Sequence, residues 1–186
     1  VVVPASQAPC QEQVFYADDP DFDLRKLLPA PTNTPIDAGP FFCLGLVLAS
    51  DPEDSSLTDV TIHRLCVQER DELSMFLAAG RHIEVFRKKA EEAGKPLPVT
   101  INMGLDPAIY IGACFEAPTT PFGYNELGVA GALRQQPVEL VQGVAVKEKA
   151  IARAEIIIEG ELLPGVRVRE DQHTNSGHAM PEFPGY

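Results

Sequence analysis

The stretch Thr58-Asp59-Val60-Thr61-Ile62-His63-Arg64-Leu65-Cys66-Val67 alternates polar with apolar or β-branched side chains. That two-residue period is the mark of a strand with unlike faces. A turn at 68–71 leads into a second strand-like run at 72–77, so the two predict an antiparallel hairpin. Upstream, Phe41-Phe42-Cys43-Leu44-Gly45-Leu46-Val47-Leu48 is a short apolar run between Pro40 and the acidic stretch 51–54, which predicts a buried strand and a solvated loop. Downstream, Ile83, Phe86 and Ala90 form one stripe of a helix over 81–93 that Gly94 and Pro96 stop. Glu84 with Lys88, and Lys88 with Glu92, are expected as i,i+4 pairs on its wet face.

A strand follows at 98–103, and Gly104-Leu105-Asp106-Pro107 then supplies a turn, an N-cap Asp and a Pro at the first helical position. A helix over 108–115, a proline-rich loop at 117–123, a short helix at 125–134 and strands at 138–144 and 154–163 complete the regular part. Strands in series before and after the helices predict an α+β fold with a mostly antiparallel, barrel-like sheet.

The chain has 186 residues, with 15 Lys+Arg against 27 Asp+Glu, so its formal net charge is 15 − 27 = −12. That balance opposes general attraction to nucleic acid or an anionic membrane. No apolar run approaches the roughly 20 residues of a membrane span. Cys10, Cys43, Cys66 and Cys114 lie far apart without a C-x-x-C pair, which favours reduced thiols and a cytoplasmic setting. The 17 prolines concentrate in fixed loops. Residues 1–40 are expected to be an extended, proline-rich lead-in anchored by Phe15, Phe22 and Leu24, and 168–186 an aperiodic tail with Glu170, Asp171, His173, His178 and Glu182. A start at Val1 rather than Met, and an abrupt end after Pro184-Gly185-Tyr186, point to processing or to a piece of a longer chain.

The sequence lacks G-x-x-x-x-G-K-[ST], a G-x-G-x-x-G after a strand, G-x-S-x-G and H-E-x-x-H, which removes the usual support for nucleotide hydrolysis, Rossmann binding, α/β-hydrolase and zincin chemistry. Strand alternation places Arg64 with Ile62 and Cys66. There its guanidinium either closes a sheet edge as an ion pair or clamps a carboxylate or phosphate; the opposite phase would turn it to water. His82 at a helix start either caps that helix or ligates a metal. Glu126, in a first turn, suits the helix dipole whether or not it does anything further. Glu182, set in Met180-Pro181-Glu182-Phe183-Pro184, sits between apolar neighbours and rigid prolines, a setting that raises a carboxyl pKa and suits a proton donor.

Taken in order, several of these segments resemble the UbiD family of reversible decarboxylases along essentially the whole chain. They are the strand 58–64, Gly80-Arg81-His82-Ile83, Gly104-Leu105-Asp106-Pro107-Ala108, Asn125-Glu126-Leu127, Ala130-Gly131-Ala132-Leu133, Pro137-Val138-Glu139-Leu140-Val141, Ala154-Glu155-Ile156-Ile157-Ile158-Glu159-Gly160 and Pro181-Glu182-Phe183-Pro184-Gly185-Tyr186. Asn33-Thr34-Pro35-Ile36-Asp37-Ala38-Gly39-Pro40 and the insert 170–180 are most similar to the protocatechuate (3,4-dihydroxybenzoate) decarboxylase branch.

The resemblance implies a split β-barrel of the flavin-reductase, FMN-binding kind over 41–167, with 1–40 leading in and 168–186 forming an active-site loop toward a further C-terminal domain. It implies prenylated FMN as cofactor, with Ile62, His63, Arg64, Arg81 and His82 lining it. Asp59, His82 and Glu126 would hold a divalent metal, Mn²⁺ or Mg²⁺, that bridges to the cofactor phosphate, with a monovalent cation (K⁺) nearby. Arg64 would be the catalytic arginine and Glu182 the proton donor, with Glu170 completing a Glu–Arg–Glu network. Two departures stand out: the first metal position is commonly Asn in relatives and is Asp59 here, and the insert separates Glu170 from Glu182.

The chemistry is coherent. A decarboxylating aromatic acid needs an electron sink, which such a flavin supplies. Arg64 can orient a carboxylate bidentately, and Glu182 can protonate the ring carbon. The implied partners are a small aromatic acid, further copies of the full-length chain and a flavin prenyltransferase that supplies the cofactor. Two other readings stand beside this one: a non-catalytic structural or assembly piece that binds no cofactor alone, and a plain FMN reductase, which lacks a nicotinamide motif here.

Overall fold

The computed structural model describes residues 1–34, 37–115, 120–169 and 184–185. Five strands form a sheet in the order β3-β2-β1-β4-β7, built from β1 (Phe41–Ser50), β2 (Thr58–Val67), β3 (Leu73–Met75), β4 (Leu97–Met103) and β7 (Ile156–Leu162). Two-stranded ladders join β5 (Leu140–Gln142) to β6 (Lys149–Ile151) and β8 (Val168–Arg169) to β9 (Pro184–Gly185). The helices are α1 (Leu24–Leu27), α2 (His82–Glu92), α3 (Pro107–Gly112) and α4 (Glu126–Arg134). The architecture is the α+β, mostly antiparallel half-barrel with flanking helices that the strand order predicts.

The chain divides into two compact units, 1–12 with 45–62 and 78–165, and 13–44 with 63–77 and 166–186. In the first, β4 pairs antiparallel with β7 from Leu97↔Leu162 to Met103↔Ile156, and with β1 through Leu46↔Asn102 to Leu48↔Thr100. Leu46, Leu48, Val60, Ile109, Ala113, Ala130, Val138, Ile151 and Ala154 make one buried cluster beneath α3 and α4. Buried Asn102 donates to Leu46 O (3.1 Å) and accepts from Ile151 N (2.8 Å), tying β4 to β6. The sequence expectation of one strand over 138–144 is corrected here. The chain turns after Gln142 and returns as β6, and Glu159 holds that turn by accepting from the backbone N–H groups of Val144, Ala145 and Val146. The signal was hidden because β6 is only three residues long.

The wet face expected for α2 is corrected at Glu84 alone; Lys88 and Glu92 are exposed, and the expected Glu84–Lys88 pair is present. Glu84 and Arg87 are both buried and hydrogen-bonded to each other, Arg87 also pairs with Glu91, and Lys88 reaches Glu84 at 3.5 Å from outside. Glu91 in turn accepts from Gly165 N (2.7 Å), so a polar network covers what periodicity alone assigns to water. Helix α3 ends at Gly112 rather than at 115.

In the second unit, Leu65↔Met75, Cys66↔Ser74 and Val67↔Leu73 form the expected hairpin. The proline-rich lead-in is held by Phe41 N to Pro31 O (3.0 Å), Val67 N to Pro40 O (2.9 Å) and Leu24 N to Arg70 O (2.8 Å). Leu24 is buried and Phe22 half-buried, as expected of anchors, but Phe15 is 56% exposed and anchors nothing. All four cysteines are free thiols. No helix among the described residues is long and apolar enough to cross a membrane.

Candidate metal centre

Three side chains from three element starts converge in the first unit. Asp59 is the second residue of β2, His82 opens α2 and Glu126 opens α4. The starts are set locally: Gly80 takes φ +87°, which glycine tolerates, and turns the chain into α2. The residue before α2, Arg81, provides no side-chain cap; instead Asp59 Oδ2 accepts from Ile83 N at 2.9 Å. A carboxylate borrowed from the strand thus satisfies an orphan donor at the positive end of the helix. In α4 the cap is conventional, with Asn125 accepting from Gly128 N at 2.9 Å.

Asp59, His82 and Glu126 are only 3%, 8% and 2% exposed. Each offers one ligand atom, and these atoms lie within 4.8 Å of one another. His82 Nδ1 stands 3.7 Å from Asp59 Oδ1. Glu126 Oε1 is buried without a hydrogen-bond partner. Burial pushes the Glu126 carboxyl up to about 7; a backbone hydrogen bond works against this and the Asp59 charge adds to it. Burial also raises Asp59, outweighing the lowering by His82 and by the N–H of Ile83. Two desolvated carboxylates side by side are costly alone and become favourable around a cation. Two carboxylates and one imidazole suit Mn²⁺ or Mg²⁺ better than a thiolate-seeking metal. The residues therefore fit a hard divalent ion.

Other expected site residues are placed more loosely. Ile62 is half-buried against the apolar cluster, and Arg81 is half-buried just before α2. In the second unit, His63 is half-buried with Nδ1 3.1 Å from Phe76 O, and Arg64 is exposed. Glu170 and Glu182 lie outside the described residues. Two neighbours escaped sequence reasoning. Thr61 shares the Asp59 face of β2 by alternation, and its buried Oγ1 has no hydrogen-bond partner.

Gly112 lies under the start of α4, where a Cβ would stand 2.6 Å from Glu126 O and 3.2 Å from Ala130 N. Gly112→Ala is expected to push Glu126 out of register, lowering stability by about 1–3 kcal/mol and weakening divalent-ion binding. Urea unfolding and a Mn²⁺ titration measure both.

All 186 residues match the family model UbiD, described as the 3-octaprenyl-4-hydroxybenzoate carboxy-lyase Rift-related domain. The gallate decarboxylase of Lactiplantibacillus plantarum is 56% identical over 185 residues, 99% of this chain and 38% of that protein. The apo structure of a 3,4-dihydroxybenzoic acid decarboxylase from Enterobacter cloacae superposes with a TM-score of 0.91 at 92% identity, over 100% of this chain and 40% of that one. An evolved dimeric form of the UbiD-class enzyme HmfF from Pelotomaculum thermopropionicum, solved in complex with prFMN, gives a TM-score of 0.81 at 40% identity, over 89% of this chain and 37% of that one. The chain thus spans about two fifths of the length of the relatives it matches. With this match along its whole length, the chain belongs to the UbiD family of carboxy-lyases.

Proposed function

We propose that this chain is the cofactor- and metal-holding part of a prenylated-FMN-dependent, non-oxidative decarboxylase of a hydroxybenzoic acid, with protocatechuate converted to catechol. The observation that carries the reading is the likeness over the whole chain to a 3,4-dihydroxybenzoic acid decarboxylase.

Asp59, His82 and Glu126 hold the divalent ion, Mn²⁺ or Mg²⁺, with K⁺ close by. Thr61 Oγ1, left unsatisfied on the Asp59 face, is available to a phosphate oxygen. Held by Asp59, His82 and Glu126, such an ion would offset the charge of an anionic cofactor beside acidic ligands, which reconciles the chain's −12 charge with such a partner. Ile62, His63, Arg64, Arg81 and His82 line the cofactor. When bound, that cofactor supplies the electron sink for loss of CO₂. Arg64 orients the substrate carboxylate through its planar fork, Glu182 delivers a proton to the ring carbon that loses CO₂, and Glu170 completes the carboxylate pair around Arg64. The full-length enzyme works in the cytoplasm as a homo-oligomer and receives its cofactor from a flavin prenyltransferase.

The direct test is to purify the full-length protein after coexpression with a flavin prenyltransferase and offer it protocatechuate and gallate. Catechol and CO₂ from protocatechuate are expected. A protein loaded with prenylated FMN that decarboxylates neither acid overturns the reading.

The coverage of two fifths of each relative favours one second reading for the isolated chain, a structural piece that binds no cofactor by itself. It predicts no flavin absorbance and no metal uptake by residues 1–186 alone.

A further inference from the structure

Phe122 takes no part in the chemistry described above, yet it packs directly on a proposed metal ligand. Its ring meets His82 edge-on, with centroids 5.2 Å apart and planes at 82°, and meets Phe86 in the same way at 5.6 Å and 80°. These are favoured edge-to-face arrangements. Lys89 Nζ lies 5.9 Å from the ring centroid, within cation–π range. The lysine is itself tethered by buried Asp51 at 2.6 Å and by Glu53 at 3.0 Å. A turn fixes the ring's position: Tyr124 N donates to Pro121 O, and Gly123 takes φ +81° where an added Cβ would approach Leu57 to 2.9 Å.

Phe122 is 45% exposed, yet its ring keeps three specific partners. The half-exposed ring thus lies against a His82 that is itself only 8% exposed. Asp59 faces His82 Nδ1 at 3.7 Å, a separation too long for a hydrogen bond, so it does not lock the imidazole plane. The aromatic contact supplies that restraint.

We infer that Phe122 is a positioning residue for His82: it sets the plane of the imidazole and shields the divalent ion from bulk water, with Lys89 pinning the ring in place. The inference rests on the metal-binding reading of Asp59, His82 and Glu126. Hydrogen-bonded outer partners of ligating histidines are worth 10–100-fold in metal affinity, and a ring contact is expected at the low end of that range.

The test uses the full-length protein, stripped of metal and titrated with Mn²⁺, with affinity and the Mn²⁺ EPR spectrum as readouts. Phe122→Leu is expected to weaken Mn²⁺ binding about tenfold and to change the zero-field splitting, because the imidazole gains orientational freedom and water gains access. Phe122→Trp, which restores an aromatic edge, is expected to recover most of the parent's affinity and line shape. Lys89→Met keeps the aliphatic stem and loses the charge, and is expected to give a smaller change of the same sign. A Phe122→Leu protein with the parent's affinity and spectrum overturns the inference while leaving the metal site standing. So does a Phe122→Trp protein as impaired as Phe122→Leu, since the effect would then be loss of packing alone. A parent that binds no Mn²⁺ overturns the metal reading and this inference together.

Discussion

Exchanging Glu126 for glutamine is expected to stabilise the metal-free protein by about 2 kcal/mol at neutral pH while weakening Mn²⁺ binding at least about a hundredfold. The two effects have one cause. Glu126 is buried, one of its oxygens has no partner, and its carboxyl is pushed up from 4.5 to about 7. Below pH 4.5 the group is protonated in the folded and unfolded chains alike, and it carries no penalty. Between 4.5 and about 7 the unfolded chain releases a proton that the folded chain retains, so stability falls as pH rises. Above about 7 the loss is complete, at most about 3–4 kcal/mol at about 1.4 kcal/mol per pH unit.

Glutamine removes this slope but leaves a buried amide only partly satisfied, which offsets part of the gain. Denaturant melts of metal-stripped parent and variant at pH 5 and pH 8 measure it. The parent should lose more stability between pH 5 and pH 8 than the variant, which keeps only the slope that buried Asp59 contributes. A parent with no such difference would show that the Glu126 carboxyl is not strained. The affinity loss follows because partners of ligands, let alone ligands, are worth 10–100-fold.

The second large effect concerns catalysis. Glu182→Gln in the full-length, cofactor-loaded enzyme is expected to lower turnover of protocatechuate by about 10²–10⁴, the usual worth of a positioned general acid. Flavin absorbance and Mn²⁺ content should stay at parental levels, because Asp59, His82 and Glu126 are untouched. Glutamine keeps the size of the side chain and removes only the transferable proton. Parental turnover in the variant would remove Glu182 from the mechanism; loss of flavin along with turnover would give it a binding role instead.

What the sequence revealed, and what it concealed, divides along physical lines. The strand 58–67 is legible because alternation is a local property, whereas nothing local singles out Asp59 within it. The helix that His82 opens is legible from the stripe of Ile83, Phe86 and Ala90, and the one that Glu126 opens from the short run at 125–134. Taken singly, His82 and Glu126 have ordinary explanations, as a cap and a dipole partner. Only the family resemblance joined them to Asp59 before the structure did, since their convergence depends on separations of 23 to 67 residues along the chain that no local rule spans.

Glu84, expected on the wet face of α2, is misplaced for the complementary reason: it pairs with Arg87 in the interior. Periodicity assigns charged side chains to water, whereas here they satisfy each other in the interior. Gly112 and Phe122 carried no sequence signal. One matters through the side chain it lacks, the other through a ring that meets its partner from across a loop.

The bond from Ile83 N to Asp59 Oδ2 bears on how the centre fills. One oxygen of the carboxylate is committed to the start of α2, and the other would be left for the proposed ion. An asparagine here would have a single oxygen for both tasks. With aspartate, the helix start and the ligand are ordered during folding. Loading is then limited by dehydration of the incoming ion, and stopped-flow uptake of Mn²⁺ should follow one exponential without a slow rearrangement phase.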